Sequence, residues 1–527
     1  MSTTTYDQTT YSSSSFPQTH PLKLATIAKL FGMNPVNPAK CKVLELGAAD
    51  GANLIPLAQV YPESTFVGID LSSRQVAEGQ KLIDGAGLTN VTLEAKDIMD
   101  FDRKGMVFDY IIVHGVYSWV PEPVRERIMS LCNEALAPEG VAYISYNALP
   151  GWRMRGITRD MMLYHTQQFP DEQTRISQAR SLVKFLSDSV PTEDNPYGQF
   201  LRTELQHMES WTDSHLLHEF LEDDNRAFYF RDFNATANKH GLQFLGEPEL
   251  SSILATNFDP KIQETLYKIA GDIVAMEQYM DFIRNRTFRM TLLVHSDKVL
   301  NRNINPLILR DMWFGTAAKP VNEKVNFQAG VLEHFSINKK FVNADSSLVK
   351  AMLVGLHADN PDYLTFNEVL AAVRKILYGA GSGVLMEKHL ADAEEVVLCD
   401  QALLLVSRGV IEVLAFPPVT VASTLPEKPC LTPLALYQAL HYPRHVTNLR
   451  HYSIKFDAFA RHALSLLDGT RDMKAIVRGM AEKSAQGIFI IQNHGETITD
   501  VDEIEKLIAP RVAACVEQFP QLSMIKP

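Results

Sequence analysis

The sequence predicts an α/β chain whose first part is an open, doubly wound, largely parallel sheet. Three observations predict it. Short apolar runs alternate with amphipathic windows from residue 41 onward. A glycine-containing turn, Gly47-Ala48-Ala49-Asp50-Gly51, follows the first apolar run and precedes a helical window. Acidic residues stand at the ends of successive runs, at Asp70 and Asp97.

Residues 1–40 read as an N-terminal arm, with a helix around Leu22–Gly32. Strands are expected at Cys41–Leu46, Phe66–Asp70, Val91–Glu94, Tyr110–His114 and Val141–Tyr146, because runs this short and apolar suit strands buried on both faces. Helices are expected at Asn53–Val60, Ser73–Ala86 and Pro123–Leu136. Residues 151–240 read as a helical insertion. Leu242–Gly246 and Phe288–His295 then add two late strands around a second helical stretch, Asp259–Asn285, so the sheet domain spans 41–300 with seven strands. Two smaller α+β units follow, 321–417 and 425–527, both winged-helix-like. His334-Phe335-Ser336-Ile337 and His451-Tyr452-Ser453-Ile454 echo each other in them, and Phe416–Pro426 is the expected linker.

Composition narrows the classes. A hydrophobic share of 46% is that of a globular chain, and no apolar run reaches membrane-spanning length. The Ser/Thr-rich start lacks the basic and apolar regions of a signal peptide. Five scattered cysteines without a C-x-x-C pair fit a reducing, cytoplasmic setting and no thiolate metal site. His207, His215 and His218 with Glu209 and Glu219 fall on helical spacing without a firmly spaced third ligand, so no metal centre is predicted. Fifty Lys+Arg against 62 Asp+Glu give a net charge of −12, which disfavours nucleic acid and favours a basic partner.

The strand ends carry the chemistry. In Val43-Leu44-Glu45-Leu46-Gly47, a strand runs into a turn that lets a ligand approach the backbone. Gly47 avoids a collision with that ligand, and Gly51 lets the next helix start close to the strand. Asp70 can accept both hydroxyls of a ribose. Asp97 and the backbone of Ile98 can pair with an adenine edge, and His114-Gly115-Val116 faces the crevice centre. Acids at successive strand ends would repel a pyrophosphate, so a dinucleotide is disfavoured.

This set resembles the class I S-adenosylmethionine-dependent methyltransferases. The resemblance implies Glu45 and Gly47 near the methionine moiety, with Ala48, Asp50, Gly51 and Asn53 completing the turn. It implies Asp70 and Leu71 at the ribose, Asp97 and Ile98 at the adenine, and His114 at the centre. Ala49 departs from the family's middle glycine. A second series is more specific: Phe16-Pro17-Gln18-Thr19-His20-Pro21, His114-Gly115-Val116-Tyr117-Ser118-Trp119-Val120-Pro121, and Tyr146-Asn147-Ala148-Leu149-Pro150-Gly151-Trp152. It is similar to bacterial methyltransferases with a methyltransferase regulatory domain, among them rickettsial protein lysine methyltransferases acting on outer-membrane protein. That resemblance covers essentially the whole chain. It implies a protein substrate, an outer-membrane protein precursor being one, and a homodimer.

The fourth strand end lacks the acidic or amide residue, prolines and aromatic typical of methylases acting on a base amine. Methyl transfer to lysine needs a neutral amine aligned with the sulfonium, which is a matter of positioning and desolvation. Tyr117, Trp119, Tyr146 and Trp152 are the candidate aromatic lining, and Tyr117 or His114 the candidate proton acceptor. Tyr6, Tyr11, Thr19 and His20 belong to an arm that can lid the cofactor. The rival functions are small-molecule methyl transfer and a non-catalytic cofactor-binding scaffold.

Overall fold

The computed structural model describes residues 13–222, 224–358, 360, 362–379, 388–442, 445–493 and 496–527; Tyr6 and Tyr11 of the arm lie outside the described residues. Seven strands form the main sheet: β1 (Lys42–Leu46), β2 (Thr65–Asp70), β3 (Val91–Ala95), β4 (Phe108–Val113), β5 (Leu136–Asn147), β6 (Leu242–Gly246) and β7 (Phe288–His295). Their order is β3-β2-β1-β4-β5-β7-β6. The first five run parallel, and β7 is antiparallel to both neighbours. Strand order reverses between β1 and β4, and a ligand crevice opens at such a switch point beyond the carboxyl ends.

Both faces of the sheet are covered. Val43, Ile112 and Tyr143 point into one apolar core, and Leu44, Ile111 and Ile144 into the other. Helices α1 (Pro21–Leu30), α2 (Ile55–Val60), α3 (Ser73–Ala86) and α4 (Glu122–Ala135) supply the covering layers. Helix α1 starts where His20 Nδ1 accepts the Leu22 N–H at 3.1 Å, with Pro21 at its first position, where no N–H is needed. Its Leu24, Ala25 and Ala28 are fully buried.

Boundaries differ from expectation at three instructive places. Helix α2 begins at Ile55 because the chain first makes a turn in which Leu54 N and Ile55 N both donate to Gly51 O. β4 ends at Val113, so His114 lies just past the strand. β5 already starts at Leu136, where the preceding helix was expected to end.

The helices of the 152–221 region close a small core of their own around Met162, Ile176, Val183 and Phe220. A buried ionic cluster joins the helix Ile273–Arg284 to β7: Arg289, fully buried, binds Glu247 at 2.8 Å, Glu277 at 2.9 Å and Asp281 at 2.8 Å. The middle unit shares the first core of the sheet domain, and its strands Leu364–Thr365 and Glu412–Leu414 pair with the strand Trp313–Gly315, which lies ahead of the expected start at 321. The C-terminal unit has a separate core built on Val446, Leu464, Ile476, Ile504 and Val512. The echoed motif plays two parts: His334 is exposed on a hairpin and bonded to Asn343, whereas His451 is buried.

Candidate active site

The turn after β1 has three residues with positive φ: Gly47 at 77°, Ala49 at 50° and Gly51 at 72°. A Cβ at Gly47 would stand 2.4 Å from Val116 Cγ2, so only glycine fits there. Ala49 takes a left-handed conformation that alanine rarely adopts. It is held there because its N–H donates to Asp70 Oδ2 at 2.8 Å, while Gly47 and Ala48 both donate to Ile69 O. Asp70 thus pins the turn with one oxygen and accepts the Ser72 N–H with the other, at 2.8 Å.

Glu45 is the one charged residue in an otherwise apolar run, and it is 3% exposed. Its Oε1 accepts from Asn53 Nδ2 at 2.8 Å. Among the described residues its buried Oε2 has no hydrogen-bond partner. Burial pushes the Glu45 carboxyl up to about 8; the Asn53 bond opposes this, and the charges of Asp70 and Asp50 add to it. A buried acid in this condition is matched to an incoming cation.

Further along the crevice, Leu71 is 55% and Met99 45% exposed, offering apolar surface beside the two strand-end acids. Asp97 caps the turn Ile98–Asp100 through Met99 N at 2.8 Å. At the crevice centre Gly115 is open, with its N–H on Ser145 Oγ at 2.8 Å. His114 Nδ1 lies 2.9 Å from the Tyr143 hydroxyl, and its ring stacks, tilted, 4.0 Å from Phe16 of the arm. Burial lowers its pKa to about 4.

His114, Tyr117, Trp119 and Tyr146 are not brought into one wall. His114 joins Tyr143 on one side of the sheet. Tyr117 (2% exposed) and Tyr146 (1%) lie in the opposite core, packed on Phe233, with the Tyr146 hydroxyl 3.1 Å from Thr291. Burial raises the pKa of both phenols. The expectation of a channel lined by both tyrosines is therefore corrected: successive residues of β5 face opposite sides, and Tyr146 falls on the packed one. Trp119 remains at the edge, its ring 6.5 Å from Trp152 and perpendicular to it.

Sequence reading missed who closes the crevice. Asp50 accepts from Ser13 and Ala52 with Oδ1 and from the Tyr442 hydroxyl with Oδ2, at 2.9 Å for the last. Asn53 Oδ1 accepts from Phe16 N at 2.9 Å and from His451 Nε2 at 2.9 Å. The Phe16-to-Pro21 motif pointed to the arm; nothing local pointed to Tyr442 or His451, about four hundred residues away. Beside the arm, a cavity of about 510 Å³ is lined by Ser13, Ser15, Trp211, His215, His445 and Lys455.

Comparison with known proteins matches this geometry to a family. Residues 43–140 match the methyltransferase domain, 212–295 the predicted methyltransferase regulatory domain, and 427–523 the C-terminal winged helix domain of PKMT. RP789 of Rickettsia prowazekii is 37% identical over 525 residues, 98% of this chain and 92% of that protein. RP028 of the same organism is 41% identical over 240 residues, 46% of this chain and 96% of its own length. The solved structure of PKMT2 from Rickettsia typhi superposes with a TM-score of 0.84 at 32% identity, covering 98% of this chain and 100% of that one; a second structure of PKMT2 holds AdoHcy. The chain belongs to this class I S-adenosylmethionine-dependent methyltransferase family. Its cofactor is S-adenosylmethionine, and the site fits that molecule: an unpartnered buried carboxylate oxygen at Glu45, a glycine turn at Gly47 packed so closely on Val116 that no Cβ fits, and Asp70 at the end of β2. No helix among the described residues is long and apolar enough to cross a membrane.

Proposed function

We propose that the protein transfers the methyl group to lysine side chains of a protein substrate. The observation that carries this reading is the whole-length similarity to PKMT2, regulatory and winged-helix domains included. The resemblance to rickettsial protein lysine methyltransferases supports it. It also carries the homodimer and an outer-membrane protein precursor as substrate, while the five scattered cysteines carry the cytoplasmic location.

In this reading the cofactor supplies an activated methyl on a sulfonium. Glu45 and Gly47 would hold its methionine end, with Ala48, Asp50, Gly51 and Asn53 shaping the turn, while Asp70 and Leu71 would hold its ribose and Asp97 and Ile98 its adenine. His114 and Gly115 stand where the acceptor amine arrives. A neutral imidazole whose pKa is lowered to about 4 is a poor proton acceptor at neutral pH, so His114 orients by packing and hydrogen bonding, and desolvation lowers the pKa of the amine, which gives its proton to solvent water on entry. Trp119 and Trp152 border the approach. The Arg155 guanidinium lies 5.6 Å from the Trp152 ring, 5.8 Å from that of Trp211 and 3.6 Å from Glu219, so this face already accommodates a cation. Tyr117 and Tyr146 form the packed floor behind it.

Radiolabelled cofactor incubated with host lysate tests the proposal. Label in protein bands that yields methyl-lysine on hydrolysis is the expected result. Label only in the low-mass fraction would identify a small-molecule enzyme, and cofactor binding without any transfer would identify a scaffold.

A further inference from the structure

The two hydrogen bonds that the C-terminal unit places on the glycine turn point beyond a recognition role for that unit. Asp50 and Asn53 are 5% and 4% exposed, and both depend on groups from outside the sheet domain. The Tyr442 hydroxyl and the Ser13 hydroxyl occupy the two oxygens of Asp50. Asn53 is oriented without ambiguity. The Phe16 N–H can only donate, so Oδ1 faces it and His451, and Nδ2 faces Glu45 at 2.8 Å. A continuous chain, His451 to Asn53 to Glu45, therefore runs from the C-terminal unit to the carboxylate whose other oxygen awaits a partner.

Three features show that this docking is built in. His451 holds φ at 67°, a left-handed conformation uncommon for residues other than glycine and asparagine, and in it Nε2 reaches Asn53. The arm is clamped from the same side, with Ser15 N and Oγ 2.9 and 2.8 Å from Ser453 Oγ. The first helix of the unit, Pro433–His441, lies on α3: a Cβ at Gly85 would fall 2.2 Å from the Tyr437 ring, and Leu434 N donates to Gln59 Oε1 at 3.1 Å.

We propose that the C-terminal winged-helix unit is a working part of the cofactor site, with Tyr442 and His451 as positioning residues that hold Asp50, Asn53 and, through Asn53, Glu45 in the shape that receives S-adenosylmethionine. This rests on the assignment of the glycine turn to the cofactor. It makes cofactor affinity and docking of the unit reciprocal: each strengthens the other by the same factor.

Calorimetric titration of full-length protein with AdoHcy, which needs no turnover, tests it. Tyr442→Phe and His451→Asn, the second chosen because Asn tolerates positive φ but is too short to bridge, are each expected to weaken binding about tenfold, the loss of a hydrogen bond in a buried polar chain. Arg478→Ala, on the surface of the same unit, is expected to bind as wild type. Hydrogen exchange of the segments around 442 and 451 in the wild-type protein is expected to slow when AdoHcy is added. Wild-type affinity in both variants, while Asp70→Ala loses binding, overturns the proposal and leaves the site assignment intact. Unchanged binding in Asp70→Ala as well overturns the site assignment itself. Where a variant fails to fold, unaltered exchange in the wild-type protein overturns the proposal.

Discussion

Glu45 makes cofactor affinity depend on pH. Its carboxyl is pushed up to about 8 by burial, so at pH 7 only about one-tenth of free protein carries the anion. A cation binding beside the unpartnered Oε2 favours the ionised form and draws the pKa down, so binding releases a proton. Binding that requires the anion is about tenfold weaker at pH 7 than at pH 9, with roughly 0.9 proton released per cofactor at pH 7. The cofactor's own α-amino group titrates in the same range. The wild-type profile is therefore divided by that of Glu45→Gln, in which only the ligand titrates. Calorimetry in two buffers of different ionisation enthalpy reads the proton count directly. Fold stability carries the same signature. The unfolded carboxyl ionises near the ordinary value of 4.5 while the folded one resists until about 8, so the apo protein loses stability as pH rises through that window, and Glu45→Gln loses less. Equal proton release by wild type and Glu45→Gln would refute the reasoning.

Two further substitutions test the scaffold. Ala49→Gly removes an alanine from φ 50°, and relief of that strain exceeds the entropy glycine adds to the unfolded chain, so stability is expected to rise by up to about 1 kcal/mol in urea unfolding; a loss would show that Ala49 is not strained. Arg289→Met leaves Arg286 to pair with Glu247 and Asp281 but removes the cation that also holds the buried Glu277, so a loss of about 3 kcal/mol is expected by the same measurement, and a neutral result would contradict the cluster's part in joining helix Ile273–Arg284 to β7.

Much of this architecture was legible because its causes are local. Apolar runs such as Val43–Leu46 and Phe66–Ile69 are strands by burial alone, and the positive φ angles of Gly47 and Gly51 are what glycine at those places supplies. The positions of the strand-end acids were legible too, and in the structure both hold their local turns, Asp70 through Ala49 N and Ser72 N and Asp97 through Met99 N. Which face a residue takes was less so. Tyr117 and Tyr146 carry hydroxyls that suggest chemistry, but the parity of β5 and the turn after β4 send both into the core beside Phe233. Least legible was the contribution of Tyr442 and His451, because a hydrogen bond across 392 or 398 residues leaves no local pattern.

The central claim is methyl transfer to lysine, and chemical blocking of the acceptor tests it most directly. Host lysate is divided, one half is acetylated on its lysines, and both halves are incubated with the enzyme and radiolabelled S-adenosylmethionine. Label in the untreated proteins that disappears from the acetylated ones is the predicted result. Equal label in both halves would contradict it and assign the methyl group to another side chain.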